Sequence, residues 1–209
     1  MALIHSPGPR TRRFLRLLER REHVPPAERA RFDEELFQQL GRTRAIVFTD
    51  TADFTIRSVR HGLPHFMMSF LRAAKAAAAV VAKGEGELVK LEGDSLMLRY
   101  PSVPAACRGV DAIEALLRRF NRGRREDELV RFSYGIGWGA LLDIEHDLFG
   151  LEVNLASKLG EDLARPGEVL LTPAAAAALD RRWSRRLEPY AALRLVDQQI
   201  EVQRLRPKR

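Results

Sequence analysis

The chain has 209 residues, of which 45% are hydrophobic and 30% charged, the balance of a globular protein with one full core and room for a small accessory segment. Its formal net charge is +7, but the basic residues are scattered rather than gathered on one aromatic-bearing element, which argues against nucleic acid as a partner. The single cysteine, Cys107, excludes an internal disulfide framework and a cysteine zinc cluster.

No apolar run approaches the ~20 residues of a membrane helix, and residues 1–13 lack the apolar centre of a signal peptide. The expected setting is therefore cytoplasmic, without membrane insertion. Only five of the basic residues are lysines, so Lys90 and Lys158 do not follow from a general richness in lysine.

In chain order, residues 10–23 place Phe14, Leu15, Leu17 and Leu18 among arginines, a short amphipathic helix. Pro25-Pro26 ends it, and Phe32, Leu36, Phe37 and Leu40 form the apolar face of a second helix closed by Gly41. Residues 1–41 are thus predicted to be a helical arm for dimerisation or regulation, and 42–209 the main domain. Ala45-Ile46-Val47-Phe48 reads as a buried strand ending at Thr49-Asp50, followed by a polar loop through Thr55. A long helix is expected from about 64 to 83, stopped by Gly84 and Gly86.

A hairpin over about 88–99 turns at Glu92-Gly93-Asp94. Pro104 stands near the start of a helix whose face includes Cys107, Val110, Ile113, Leu117 and Phe120. Alternation of Val130, Phe132, Tyr134 and Ile136 predicts a half-buried strand over 129–137. Gly135, Gly137 and Gly139 mark a tight approach before a second strand over 140–144. A helix from about 152 to 164, a strand at 169–171, a helix opened by Thr172-Pro173 and two strands around Asp197-Gln198-Gln199 complete the chain. This order predicts an α+β fold with a mixed or antiparallel sheet.

Two acids, Asp50 and Asp94, fall at the ends of adjacent predicted core strands. Such a pair suits Mg²⁺, which takes one or two carboxylates and completes its octahedron with water and phosphate oxygens. Capping of the loop by Asp50 and a turn role for Asp94 would explain the same residues without a metal.

Residues 45–179 resemble the catalytic domain of class III nucleotidyl cyclases, the adenylate and guanylate cyclase family. The resemblance is carried by Phe48-Thr49-Asp50 with Phe54-Thr55, Lys90-Leu91-Glu92-Gly93-Asp94, Gly135-Ile136-Gly137-Trp138-Gly139, Asp147-Leu148-Phe149-Gly150 with Val153-Asn154-Leu155-Ala156-Ser157-Lys158-Leu159, and Pro166-Gly167-Glu168-Val169. It implies a ferredoxin-like βαββαβ core and a homodimer with sites at the interface. The implied reaction converts ATP to cyclic AMP and pyrophosphate, with two Mg²⁺ or Mn²⁺ ions per site.

By this resemblance Asp50 and Asp94 hold the metals, and the backbone of Thr51, Ala52, Asp53, Phe54 and Thr55 cradles phosphates. Lys90 and Asp147 read the adenine edge, where guanylate cyclases typically carry glutamate and cysteine or a similar pair. Asn154 orients the ribose, and Lys158 stabilises charge on the transferred phosphorus. The metal acids then belong to one site of the dimer, and Lys90, Asp147, Asn154 and Lys158 to the other.

The chain departs from the family pattern in four places. Lys158 stands where arginine is usual, keeping the charge without the planar fork; loss of such a contact lowers a rate by ~10²–10³. Asp53 adds a third acid at the phosphate loop. The connection from Gly139 to Asp147 is short, and no basic residue stands out to grip the triphosphate, leaving Arg194, Arg204 and Arg206 as candidates. Two alternatives follow: a weak or silent cyclase-homology module that binds nucleotide or a partner, and a cyclase of other nucleotide specificity.

Overall fold

Ala45 to Phe48 are unbroken in apolar character because both faces of their strand are covered. Ala45 and Val47 point into one core cluster with Phe70, Ala73, Leu96 and Leu98. Ile46 and Phe48 point into another with Met97, Leu141, Val153 and Ala156. Side chains alternate along a strand, so a doubly covered strand must be apolar at every position. A computed structural model describes residues 7–195 and 198–208 of the chain. The turn expected at Asp197 and the first six residues of the predicted arm lie outside them.

Two helices open the described chain, α1 (Pro9–Glu22) and α2 (Arg29–Leu40). They are followed by β1 (Gly41–Thr51), α3 (Phe54–His61), α4 (Leu63–Lys83), β2 (Glu87–Glu92), β3 (Ser95–Tyr100), α5 (Val103–Phe120) and β4 (Phe132–Asp143). The short β5 (Leu148–Phe149), α6 (Leu151–Lys158), β6 (Val169–Leu171), α7 (Pro173–Ala177), α8 (Arg181–Ser184), β7 (Leu187–Leu195) and β8 (Gln198–Leu205) complete it.

The sheet runs β2-β3-β1-β4-β6-β8-β7, with β5 paired to β4. Its first four strands and the helices between them form the ferredoxin-like arrangement, and the β4–β6 pair is parallel while its neighbours are antiparallel. The mixed α+β sheet expected from the element order is therefore observed.

The helix α4 is 21 residues long and apolar enough by length and composition to cross a membrane. Here Phe66, Phe70, Ala73, Ala77 and Val81 instead bury its face in the core of the sheet. Its alanines let it lie close to β2 and α5. Ser102 caps α5 by accepting a hydrogen bond from the Ala105 amide, and Thr172 does the same for α7 through Ala175, as expected of hydroxyls before Pro-containing first turns.

Three local expectations change. The strand predicted at 129–137 is not half-buried and does not end at the glycines: β4 runs unbroken for 12 residues and is buried from Phe132 to Gly137. Gly135 and Gly137 serve a different close approach. A Cβ at Gly135 would stand 1.9 Å from the Ala156 carbonyl oxygen, and one at Gly137 would stand 2.4 Å from that of Glu152. The glycines let α6 lie directly on the sheet.

The helix expected over 152–164 changes pitch at Leu159, where residues Leu159–Leu163 form a π-helical turn. Finally, the polar loop after Asp50 gives way at Phe54 to α3, whose Phe54 ring packs edge-on against Phe66 and Phe70. That aromatic cluster is long-range and left no periodic signal in the sequence.

The first two helices pack as a pair at the far end of the sheet. Leu17, Leu36 and Leu40 bury against Leu142 of β4, with Phe14 and Phe32 alongside.

Candidate active site

Asp50 lies at the end of β1, opposite Ser133 of β4. The adjoining threonines stitch this strand end to the β2–β3 turn. Leu96 N donates to Thr49 Oγ1 at 3.0 Å, and Thr51 Oγ1 donates to the Asp94 carbonyl at 2.7 Å. The turn itself needs Gly93 in the left-handed region, with φ of 58°, which glycine adopts without steric cost. Asp94 is thereby carried to the side of Asp50.

The electrostatics record the meeting. Burial and then the charge of Asp94 push the Asp50 carboxyl up to about 6, with Glu161 and Asp162 adding to the shift and a Thr51 amide hydrogen bond opposing it. Burial also raises Asp94 above the ordinary aspartate value. Glu161 and Asp162 were missed in the sequence; the π-helical turn swings them toward the end of β1. Ser133 Oγ secures that turn by donating to the Gly160 carbonyl at 2.9 Å.

Among the described residues no cluster of three or more His, Cys, Asp or Glu side chains forms a closed metal cage. The two partly buried carboxylates fit a hard divalent ion with open positions, which keeps waters and takes further ligands from phosphate. A cation between them would offset the burial that raises both acids and the repulsion that adds to it at Asp50.

Lys90 and Asp147, 57 positions apart, are brought together. The Lys90 ammonium lies 3.1 Å from each Asp147 carboxylate oxygen, and 2.8 Å from Glu92. Burial disfavours the Lys90 charge, but the hydrogen bonds that its ammonium donates to Glu92 and Asp147 outweigh it and raise the lysine above its ordinary value. Asp147 is oriented further by the Leu148 amide, which donates to Oδ1 at 2.9 Å.

Asn154 and Lys158 occupy one exposed face of α6, as their four-residue spacing predicts. Lys158 Nζ is 3.4 Å from Asp162 of the π-helical turn, an exposed pair of small energetic weight. This face of the helix is open to solvent.

The segment Thr51 to Thr55, expected to cradle phosphates, has fewer free amides than the sequence suggests. The Ala52 amide donates to the Arg131 carbonyl at 2.9 Å, which removes it from the predicted cradle of Thr51 to Thr55. The remaining first-turn amides of α3 have no intrahelical acceptor and sit at the positive end of its dipole. Asp53 enters this helix with φ of 62°, and its carboxylate reaches to 4.0 Å from Arg57. Arg57, also missed in the sequence, is almost buried and donates to the carbonyls of Glu126 and Leu129 at 2.6 and 2.9 Å, fixing α3 from behind.

Two of the three candidate triphosphate grips are committed elsewhere. Arg204 pairs with Glu168 at 2.7 Å and with Glu188, and Arg206 donates to the Arg185 carbonyl at 2.5 Å. Arg194 is exposed on β7, opposite Gln199.

No family model matches the chain. An adenylate cyclase of Glutamicibacter nicotianae is 30% identical over 132 residues, 63% of this chain and 31% of that protein. A Rhizobium meliloti protein, also named as an adenylate cyclase, is 25% identical over 131 residues, 63% of this chain and 22% of its own length. The chain thus spans a third or less of the curated relatives it matches.

Among solved structures, an adenylate/guanylate cyclase/hydrolase from Silicibacter pomeroyi superposes with a TM-score of 0.69 at 21% identity, covering 80% of this chain and 98% of that one. The guanylate cyclase domain from Catenaria anguillulae, in complex with GTP, superposes at 0.67 with 13% identity, covering 80% and 97%. The fold, the ordered motifs and the two sequence relatives agree: the domain has the fold of the class III nucleotidyl cyclase catalytic domain, and its sequence is similar to that of adenylate cyclases.

Proposed function

We propose that the domain is an adenylate cyclase, converting ATP to 3′,5′-cyclic AMP and pyrophosphate in a homodimer with sites at the interface. The observation that carries the choice of ATP is the Lys90–Asp147 pair. A lysine can donate to an adenine ring nitrogen, and a carboxylate can accept from the exocyclic amine. A guanine presents the opposite pattern, a carbonyl in place of that amine.

In the reaction the ribose 3′-oxygen attacks the α-phosphorus, loses its proton, and the bond from that phosphorus to the pyrophosphate oxygen breaks. Asp50 and Asp94 would hold two Mg²⁺ or Mn²⁺ ions. Bound there, the ions lower the pKa of the attacking hydroxyl and neutralise the triphosphate. Asn154 orients the ribose, Lys158 faces the charge that builds on phosphorus, and the first-turn amides of α3 receive phosphate oxygens. Each group raises the rate by fixing the reactants or by meeting charge that develops in the transition state.

Several features support the dimer. Asn154 and Lys158 are open to solvent, and Ile56, Val59, Leu63, Met68 and Leu91 are exposed large apolar residues. A site shared between two copies gives both sets a use. In this reading residues 1–41 are an arm and 42–209 the catalytic unit, the division falling where α2 passes into β1 at Gly41. An ATP substrate carries with it a cytoplasmic setting.

The Lys158–Asp162 pair favours a second reading, a weak or silent homology domain that binds nucleotide without turnover. Incubating purified protein with each of the four nucleoside triphosphates and Mn²⁺ separates the readings. Cyclic AMP in excess over the other cyclic products supports the proposal. Nucleotide binding with no cyclic product after hours supports the silent module, and a predominant product from another base reassigns the specificity.

A further inference from the structure

Glu145 stands two residues before Asp147, and its carboxylate is held by α1 rather than by the sheet. The Arg10 amide donates to Glu145 Oε1 at 3.2 Å, and the Thr11 hydroxyl donates to Oε2 at 2.9 Å. Both donors lie in the first turn of α1, where a helix leaves its amides unsatisfied and its dipole favours negative charge. Arg10 adds a second hold, its Nε donating to the Asp143 carbonyl at 2.9 Å and its Nη2 to the Leu40 carbonyl at 3.0 Å. On the other side of Asp147, the Phe149 ring stacks on Phe14 of α1 at 6.1 Å between centroids and 21° between planes.

The helix therefore grips the chain on both flanks of Asp147. Between those grips the turn is closed by the Ile144 amide donating to the Asp147 carbonyl at 3.1 Å. Glu145 itself adopts φ of 61°, a left-handed conformation that costs a bulky residue free energy and persists only where surrounding contacts impose it. Thr11, although polar, is buried to 2% exposure. Together these contacts hold the chain on both sides of Asp147.

We propose that Glu145 is a positioning residue for base recognition: its clasp on the first turn of α1 fixes the 143–149 turn so that Asp147 is presented against Lys90. The role of α1 is then specificity, and an event that lifts the helix loosens the choice of base. This rests on the reading of Lys90 and Asp147 as the base-reading pair.

The test measures Kd for 3′-deoxy-ATP and 3′-deoxy-GTP, which lack the attacking hydroxyl, on the full chain with Mn²⁺. Variants are Glu145→Ala, Glu145→Gln, Thr11→Val and the reference Asp147→Ala. Loss of the charge-assisted hydrogen bonds of the clasp, two in Glu145→Ala and one in Thr11→Val, is expected to reduce the adenine-over-guanine preference by about 3–10-fold. Glu145→Gln, which keeps one accepting oxygen for the Arg10 amide and presents an NH2 group that can donate to the Thr11 hydroxyl oxygen, is expected to restore part of it.

Thr11→Val preserves shape in a buried position and guards against a trivial loss of fold, which thermal melting records for every variant. If Asp147→Ala abolishes the preference while folded Thr11→Val and Glu145→Ala keep the wild-type ratio, the clasp has no positioning role and the proposal is overturned. An equal weakening of both nucleotides also overturns it. If Asp147→Ala leaves the preference unchanged, the base-reading assignment falls first, and the clasp inference with it.

Discussion

The Lys90 ammonium is equidistant, at 3.1 Å, from the two carboxylate oxygens of Asp147. The lysine comes from the outer strand of the hairpin and the acid from the turn before β5, on the opposite side of the central β1. Each side chain is partly exposed, at 27% and 18%, so the pair is poised at a surface a ligand can reach. A base that enters must replace the ion pair with equivalent contacts, which is how a polar site rejects an analogue lacking them. Replacing Lys90 by alanine is expected to lower kcat/KM for ATP by about 10²-fold, since a charged donor is lost and Asp147 is left unpaired. The double variant Lys90→Glu, Asp147→Cys is expected to shift preference toward GTP, read from the ratio of the two kcat/KM values.

A mixing experiment examines the division of labour between copies. Asp94→Ala homodimers are expected to be inactive, and Lys90→Ala homodimers to keep about a hundredth of wild-type activity. Their mixture is expected to recover roughly a quarter of wild-type activity, from one intact site in each heterodimer and random pairing of symmetric subunits. Heterodimers that form, as seen by native mass spectrometry, but stay inactive contradict sites shared across the interface.

Asp50 links function to stability through its raised carboxyl. Its pKa is about 6 in the fold against an ordinary 3.8, so between those values the folded state keeps a proton that the unfolded chain has lost. Stability of the metal-free protein is expected to fall as pH rises from about 4 to about 6 and to stay lower above that window. Asp50→Asn removes the penalty. The variant is expected to be more stable than wild type at pH 7.5 by about 1–2 kcal/mol, discounted for the partial exposure of the carboxylate, and to make no cyclic nucleotide. Metal-free thermal melts at pH 5 and 7.5 measure the first outcome, and equal pH profiles for both proteins contradict it.

Lys158→Arg supplies the planar fork that lysine lacks. Because the gain is confined to the transition state, kcat is expected to rise by about 10-fold or more with KM for ATP little changed. A rise in affinity without a rise in kcat would assign residue 158 to ground-state binding.

Gly135→Ala probes the approach of α6 to the sheet. The added methyl would stand 1.9 Å from the Ala156 carbonyl oxygen, and that oxygen belongs to a helix that cannot yield without lifting from the strand. A loss of about 3 kcal/mol or more is expected from such overpacking, read by denaturant unfolding. A near-neutral result would mean that α6 shifts freely, contrary to the close seat seen on β4.

Most of what concerns single elements was readable from the residues in order. The apolar run 45–48, the hydroxyl-and-proline starts of α5 and α7, and the acid-bearing turn at Glu92-Gly93-Asp94 all declare themselves locally, because capping, turn geometry and strand alternation depend on neighbours in the chain. The ordered motifs from Phe48 to Val169 likewise carried the resemblance to class III cyclase domains, whose fold the structure shares. Tertiary structure decided what depends on partners far away. It committed the Ala52 amide to Arg131, seated Phe54 among Phe66 and Phe70 to make α3, and fused two expected strands into β4 by laying α6 on its glycines. It also brought Glu161 and Asp162 toward Asp50 and set Glu145 on α1. The physical reason is common to all of these. A periodic pattern reports that a face is buried, but hydrogen-bond partners and electric fields between residues 57 or 134 positions apart exist only once the sheet has put them side by side.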